Sequence, residues 1–143
     1  MEIPDPPERL VGERVELRPI ADWDIPEILI AHQDDRDLAA CLGMERPPSG
    51  AELGREVEEA AAAWAAGLLK LTIVEPGSND CRGRLVIDLR EAEGTTAPVT
   101  VWIARDRRGR SIASEALGLA RDWLARSGGI AQLQCREDRP RRG

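Results

Sequence analysis

The sequence predicts an α/β (α+β) fold: a mixed sheet made of an antiparallel meander plus a βαβ crossover to a parallel last strand, with helices on both faces. Three observations predict it. Apolar segments at 68–75, 83–90 and 99–104 are separated by PGSNDCR and EAEGTTAP, which are rich in turn residues and too short to hold a crossover helix, so these strands run antiparallel. Between 99–104 and a last alternating stretch at 130–135 stands a 112–127 segment with apolar residues at helical spacing, and a helix joining two strands of one sheet makes them parallel. The length of 143 residues suits a single domain with one core.

The elements follow in order. In GERVELRPI, Val15 and Leu17 alternate with Arg14, Glu16 and Arg18, the period of a half-buried strand, which Pro19 ends. ADWDIPEILIAHQDD reads as a helix capped by Asp22 or Asp24 with Pro26 in its first turn, and RDLAACLG as a second, short helical piece. Ser49 and Glu52 have the S-x-x-E spacing of a capping box. The helix they open sets Leu53, Val57, Ala60, Ala61 and Trp64 on one face, leaves Glu56, Glu58 and Glu59 as a solvated face, and stops at Gly67. After the meander, Ile112, Ala116, Leu119, Ala120 and Trp123 mark the inner face of a helix that Gly128-Gly129 ends. In the last strand Ala131, Leu133 and Cys135 alternate with Gln132 and Gln134, and 136–143 is a polar tail with no apolar residue to bury. Trp23, Trp64 and Trp123 are expected in the core or at helix packing faces.

Composition narrows the function. A net charge of −6 argues against general nucleic-acid binding, which needs a broadly basic surface. One basic island interrupts the acidic chain: 105–110 carries four arginines and one aspartate, a net +3, where a strand gives way to a helix. No basic and apolar leader opens the sequence and no run approaches the roughly 20 apolar residues of a membrane span, so a cytoplasmic protein with no membrane partner is expected. Cys41, Cys81 and Cys135 are too widely spaced for a zinc site or a disulfide framework. His32, the only histidine, lies on a predicted helix and reads as a packing or surface residue. Tyrosine is absent, which excludes a tyrosine hydroxyl from any mechanism within this sequence.

The order of strand, helices, meander, glycine turn, helix and strand resembles the GNAT superfamily of acyl-CoA-dependent N-acetyltransferases, most closely its ribosomal-protein and amino-acid N-acetyltransferase branch, over about residues 9–135. VWIARDRRGRSIASEALGLARDWL carries most of the likeness. It is similar to the family's Trp-containing strand, its Arg/Gln-x-x-Gly-x-Gly/Ala turn and a helix opening Glu-Ala-Leu.

The turn maps onto Arg108-Gly109-Arg110-Ser111-Ile112-Ala113, with Ser111 where the family has a glycine. The resemblance implies that these residues bind the pyrophosphate of acetyl-CoA, the co-substrate. It also implies that Trp102, Ile103 and Ala104 offer main-chain partners to pantetheine and an amide to the oxyanion of the transition state. A Cβ at position 111 is expected to strain the turn and weaken binding, with the serine hydroxyl capping the helix in compensation. The acceptor would be a primary amine, on a small molecule or a protein α-amine.

Asp88, on a strand facing the cleft, and Glu75, ending the strand before it, are the candidate bases. The family continues past the last strand into a further helix and hairpin, so the domain is expected to be C-terminally shortened, leaving an edge for a homodimer through the last strand. A non-catalytic coenzyme A-binding or interaction module, from a truncated or degenerate domain, is the alternative reading.

Overall fold

A computed structural model describes residues 3–105 and 111–135. Its strands are β1 (Leu10–Val11), β2 (Glu16–Pro19), β3 (Leu68–Val74), β4 (Cys81–Asp88), β5 (Thr96–Ile103) and β6 (Gln132–Cys135). Its helices are α1 (Ile25–Asp34), α2 (Leu38–Cys41), α3 (Gly50–Glu58), α4 (Ala60–Ala65) and α5 (Ile112–Ser127). The sheet order is β1-β2-β3-β4-β5-β6, antiparallel throughout except for the parallel β5–β6 pair. The predicted meander and βαβ crossover are both present.

Three boundaries differ from the sequence expectation. The third predicted strand starts earlier and ends at Asp88, whose carboxylate accepts from the Arg90 N–H and turns the chain into a 3-10 turn, Leu89–Glu91. β5 begins at Thr96; its Pro98 lies beyond Val99, the last residue paired with β4, where a missing N–H costs the ladder nothing. The predicted single helix from Ser49 to Gly67 is two helices. Its capping box forms as expected, Ser49 Oγ accepting from Glu52 N at 3.1 Å and Glu52 Oε1 from Ser49 N at 2.8 Å. The chain then breaks at Glu59, with φ −95° and ψ 2°.

Register explains the break. Alternate residues of the sheet form rows across the strands, and the row Leu71–Leu85–Val101 belongs to a wholly apolar face. Against that face pack Ala116, Ala120, Trp123 and Leu124 of α5, and Trp64 of α4 joins the same cluster, its ring centroid 5.9 Å from that of Trp123. The opposite face carries the row Arg18–Thr72–Arg84–Trp102 and is covered by α1 and α3, where Ile28, Leu53 and Cys81 form a second, smaller core. Leu53 and Val57 therefore serve one face and Trp64 the other, which one straight helix cannot do.

The polar row is not a solvated surface. Arg18 is buried, donating to both carboxylate oxygens of Asp24 at 2.8 and 2.9 Å, and Asp24 also accepts from Thr72 Oγ1 and from Ala21 N. Asp24 thus anchors the sheet rather than capping α1 through its side chain. Trp23, expected in the core, is instead 61% exposed and lies over the Arg18 guanidinium, 5.5 Å from ring centroid to Cζ. On the far side, the Glu115 carboxylate of α5 accepts from the N–H groups of Arg14 and Val15, pinning the β1–β2 turn to the start of that helix.

Candidate active site

β5 is paired on both sides. β4 pairs with it from Val99 to Ile103, and β6 pairs with it from Thr96 to Val99, where Cys135 is the last described residue of that strand. Ala104 N–H donates to Arg82 O at 2.7 Å, so the main chain of Trp102 and Ala104 faces β4, and that of Val101 and Ile103 faces the side of β6. The amide of Ala104, expected to serve the co-substrate, is therefore engaged with β4. Val101, which the sequence reading passed over, turns its main chain the other way because backbone direction alternates along a strand. The side chains divide as well: Ile103 enters the core beneath α5, and Trp102 lies on the polar face.

Beyond β5 the chain leads to the N-terminus of α5. Arg108, Gly109 and Arg110 lie outside the described residues. Ser111 stands at the N-cap position with φ 61° and ψ 22°, the left-handed conformation that glycine adopts without a steric penalty. Its side chain makes no capping hydrogen bond, which corrects the expectation that the hydroxyl offsets the strain. Glu115 N donates to Ser111 O at 3.1 Å, so the amides of Ile112, Ala113 and Ser114 precede the helical ladder. The Ile112 and Ala113 side chains are half-buried against the main core, which leaves their amides as the groups on offer.

Both carboxylates singled out as candidate bases are engaged in ion pairs. Asp88 is at the end of β4 remote from Ile103, 94% buried, and bound by Arg90 Nε and Nη2 at 2.8 and 2.9 Å as it caps the 3-10 turn. Glu75 sits in the β3–β4 turn and accepts from Arg82 Nε at 2.8 Å.

The groups that do gather near β5 are different ones. On the polar face, directly beside Trp102, Arg84 forms an ion pair with Glu56 of α3, and Lys70 approaches the same carboxylate at 3.4 Å. Burial pushes the Glu56 carboxyl up, but the Arg84 charge, its hydrogen bond and Lys70 together outweigh it and hold the group below its ordinary value. Glu56 is thus an interior ion-pair partner and not part of a solvated face. His32 of α1 is buried against Trp102, the ring centroids 6.0 Å apart in an edge-on arrangement. Burial, then the Arg84 charge, lowers its pKa, with Asp35 opposing them. His32 Nδ1 and Arg84 Nε are both buried without a hydrogen-bond partner among the described residues. The sequence held a trace of this cluster: Arg18, Thr72, Arg84 and Trp102 occupy the outward parity of their strands, but nothing local indicates that helices cover that side.

Between α1 and the ends of β4 and β5 lies a cleft of about 120 Å³ lined by Glu27, Ala31, Asp34, Cys81, Arg82 and Ala104. Among the described residues no cluster of histidine, cysteine and carboxylate side chains is arranged to hold a metal ion. No described helix is long and apolar enough to cross a membrane.

The chain belongs to the acetyltransferase (GNAT) domain family, whose model matches residues 14–139. Among solved structures it is similar to Mycobacterium smegmatis RimJ in complex with CoA-disulfide, at 20% identity and TM-score 0.71, covering 92% of this chain and 66% of that one. It is also similar to the Salmonella typhimurium acetyl transferase that modifies the N-terminal serine of 50S ribosomal subunit protein L7/L12, at 20% identity and TM-score 0.67, covering 86% and 71%. A third is the microcin C7 self immunity acetyltransferase MccE in complex with acetyl-CoA and AMP, at 17% identity and TM-score 0.67, covering 83% and 67%. No curated protein matches it by sequence.

Proposed function

We propose that the chain transfers the acetyl group of acetyl-CoA to a primary amine, and that the amine is the α-amine of a protein. The observation that carries the first part is the match of the acetyltransferase (GNAT) family model over residues 14–139, together with the left-handed turn at Ser111 that opens α5 after β5. The acceptor follows the L7/L12-modifying structure, whose target is an N-terminal serine.

The main-chain groups of Val101, which face away from β4, fit a pantetheine arm running along β5 as an extra strand would. The amides of Ile112, Ala113 and Ser114, with the dipole of the 16-residue α5, fit the pyrophosphate, and Arg108, Gly109 and Arg110 belong to the same turn in sequence. An inward amide of β5 stabilises the negative charge that develops on the thioester oxygen during attack. Acetyl-CoA supplies the activated acyl group.

Titration calorimetry with acetyl-CoA, followed by thiol release over a panel of N-terminal peptides and small amines, tests this reading. Binding with turnover of peptides is the expected result. Binding without turnover selects a coenzyme A-binding module, a reading favoured by the engagement of both Asp88 and Glu75 in ion pairs. Arg108→Ala with Arg110→Ala is expected to weaken acetyl-CoA binding by about 2 kcal/mol. The same proposal includes a homodimer through β6, which is an edge of the sheet among the described residues.

A further inference from the structure

We propose that the groove between the α2–α3 connection and α3 docks the acceptor as a basic peptide, the lysine- and arginine-bearing N-terminal segment of a protein. This rests on the protein N-acetyltransferase reading above and deepens it by naming the class of acceptor.

Charge is sorted along the chain. Residues 1–104 carry 21 acidic and 10 basic side chains, a net −11, whereas 105–143 carry 5 acidic and 10 basic, a net +5. An asymmetry of this kind points to a partner of opposite charge. In the fold the acidic part gathers in the helical layer over the polar face of the sheet. From Asp22 to Glu59 that layer exposes seven carboxylates against three arginines, a net −4, and so carries a negative field that draws in cations.

A groove gives the charge a shape. It has a volume of about 410 Å³ and is lined by Met44, Glu45, Arg46 and Pro48 ahead of α3 and by Glu52 and Glu56 of α3. That volume lies within the roughly 300–1,000 Å³ of ligand sites. Its lining joins carboxylates to the apolar surface of Pro48 and of Met44, which is 37% exposed. Lysine and arginine match both halves, since their aliphatic stems cover apolar surface while their charged heads reach an anion.

The three carboxylates differ in what they offer. Glu52 gives both oxygens to Arg46, at 2.8 and 2.7 Å, while it caps α3. Glu56 is paired with Arg84 and Lys70 of the sheet, which take up its charge. Glu45 is exposed and makes no hydrogen bond or ion pair among the described residues, so it is the carboxylate open to a cation from outside. The groove is also tied to β5: Glu56 holds Arg84, which stands opposite Trp102 in the β4–β5 register. One ion pair therefore separates the groove from the strand along which the pantetheine arm is proposed to run.

Two sets of octapeptides test the proposal, alike in their first two residues and carrying either three lysines or three glutamates after them. With acetyl-CoA saturating, the lysine set is expected to show a KM about tenfold lower at low salt, an advantage that shrinks to about twofold in roughly 0.5 M salt. Glu45→Lys is expected to raise the KM of the lysine set about fivefold, the loss appearing in KM rather than in kcat. Glu13→Lys makes the same charge change in the exposed β1–β2 turn, which Glu115 pins to α5 on the other side of the sheet, and is expected to keep the preference. Equal KM values for the two sets, or a preference that salt leaves untouched, overturn the docking groove. So does a preference lost equally in Glu13→Lys, because net charge and not the groove then sets it. In these cases the acetyltransferase reading stands. A wild-type chain that binds acetyl-CoA but acetylates neither set overturns the protein-acceptor reading and this proposal together.

Discussion

Ser111 is the residue at which local chemistry and required geometry disagree most. Its φ of 61° belongs to a position that the family's turn fills with glycine, and for a residue with a Cβ that conformation costs about 1–2 kcal/mol. Since no side-chain capping bond repays it, Ser111→Gly is expected to stabilise the chain by about 1 kcal/mol after the added freedom of the unfolded state is subtracted. A melting point about 3 °C higher, with tighter acetyl-CoA binding by calorimetry, would bear this out. A lower one would mean that the hydroxyl makes a contact of its own. The thiols differ just as sharply from one another. Burial, reinforced by the charge of Asp24, pushes Cys81 up to about 12, while Cys41 and Cys135 are exposed. A thiol reagent at pH 8 is expected to titrate Cys41 and Cys135 rapidly and Cys81 only after denaturation; fast native reaction of all three would contradict the packing of Cys81 beneath α1.

At the scale of elements, β4 and β5 are held at a spacing that only glycine allows. A Cβ on Gly83 would collide with the carbonyl oxygen of Trp102, which is backbone and cannot rotate aside. Gly83→Ala is therefore expected to cost about 3 kcal/mol, or roughly 10 °C in melting temperature, by forcing the two strands apart. An unchanged melting temperature would show that β5 yields at this point. The same pairing sets the site, because β4 fixes the direction of every amide in β5 from Val99 to Ala104. The break between α3 and α4 is the helical counterpart: one sequence pattern of apolar residues is divided between two faces of the sheet.

For the molecule as a whole, the proposed dimer makes a direct test of β6. Gln132 N–H donates inward, to Thr95 O at 3.0 Å, so proline at Gln132 would break the sheet itself. By alternation the outward N–H groups are those of Leu133 and Cys135, and Cys135 is exposed. In sedimentation velocity the wild type is expected to dimerise and Cys135→Pro to shift it toward monomer. A wild type that stays monomeric at high micromolar concentration rules out association through this strand.

The sequence by itself determined the order of elements, the antiparallel meander, the parallel crossover and the family, because these follow from local periods of two and 3.6 and from turns whose length forbids other connections. Its capping box at Ser49 and the positive φ needed at position 111 were legible for the same reason, each being a property of a few consecutive residues. Only the tertiary structure decided which polar residues are interior. Arg18, Glu56 and Arg84 read as solvated from the chain, yet α1 and α3 cover them, since a strand's outward parity says nothing about what packs there. The surroundings of Asp88 were hidden for a related reason: its ion pair with Arg90 forms through a turn that the strand pattern concealed. His32, a lone histidine among helical residues, acquires its chemistry from Trp102 and Arg84, 70 and 52 positions away, which the fold alone brings to it.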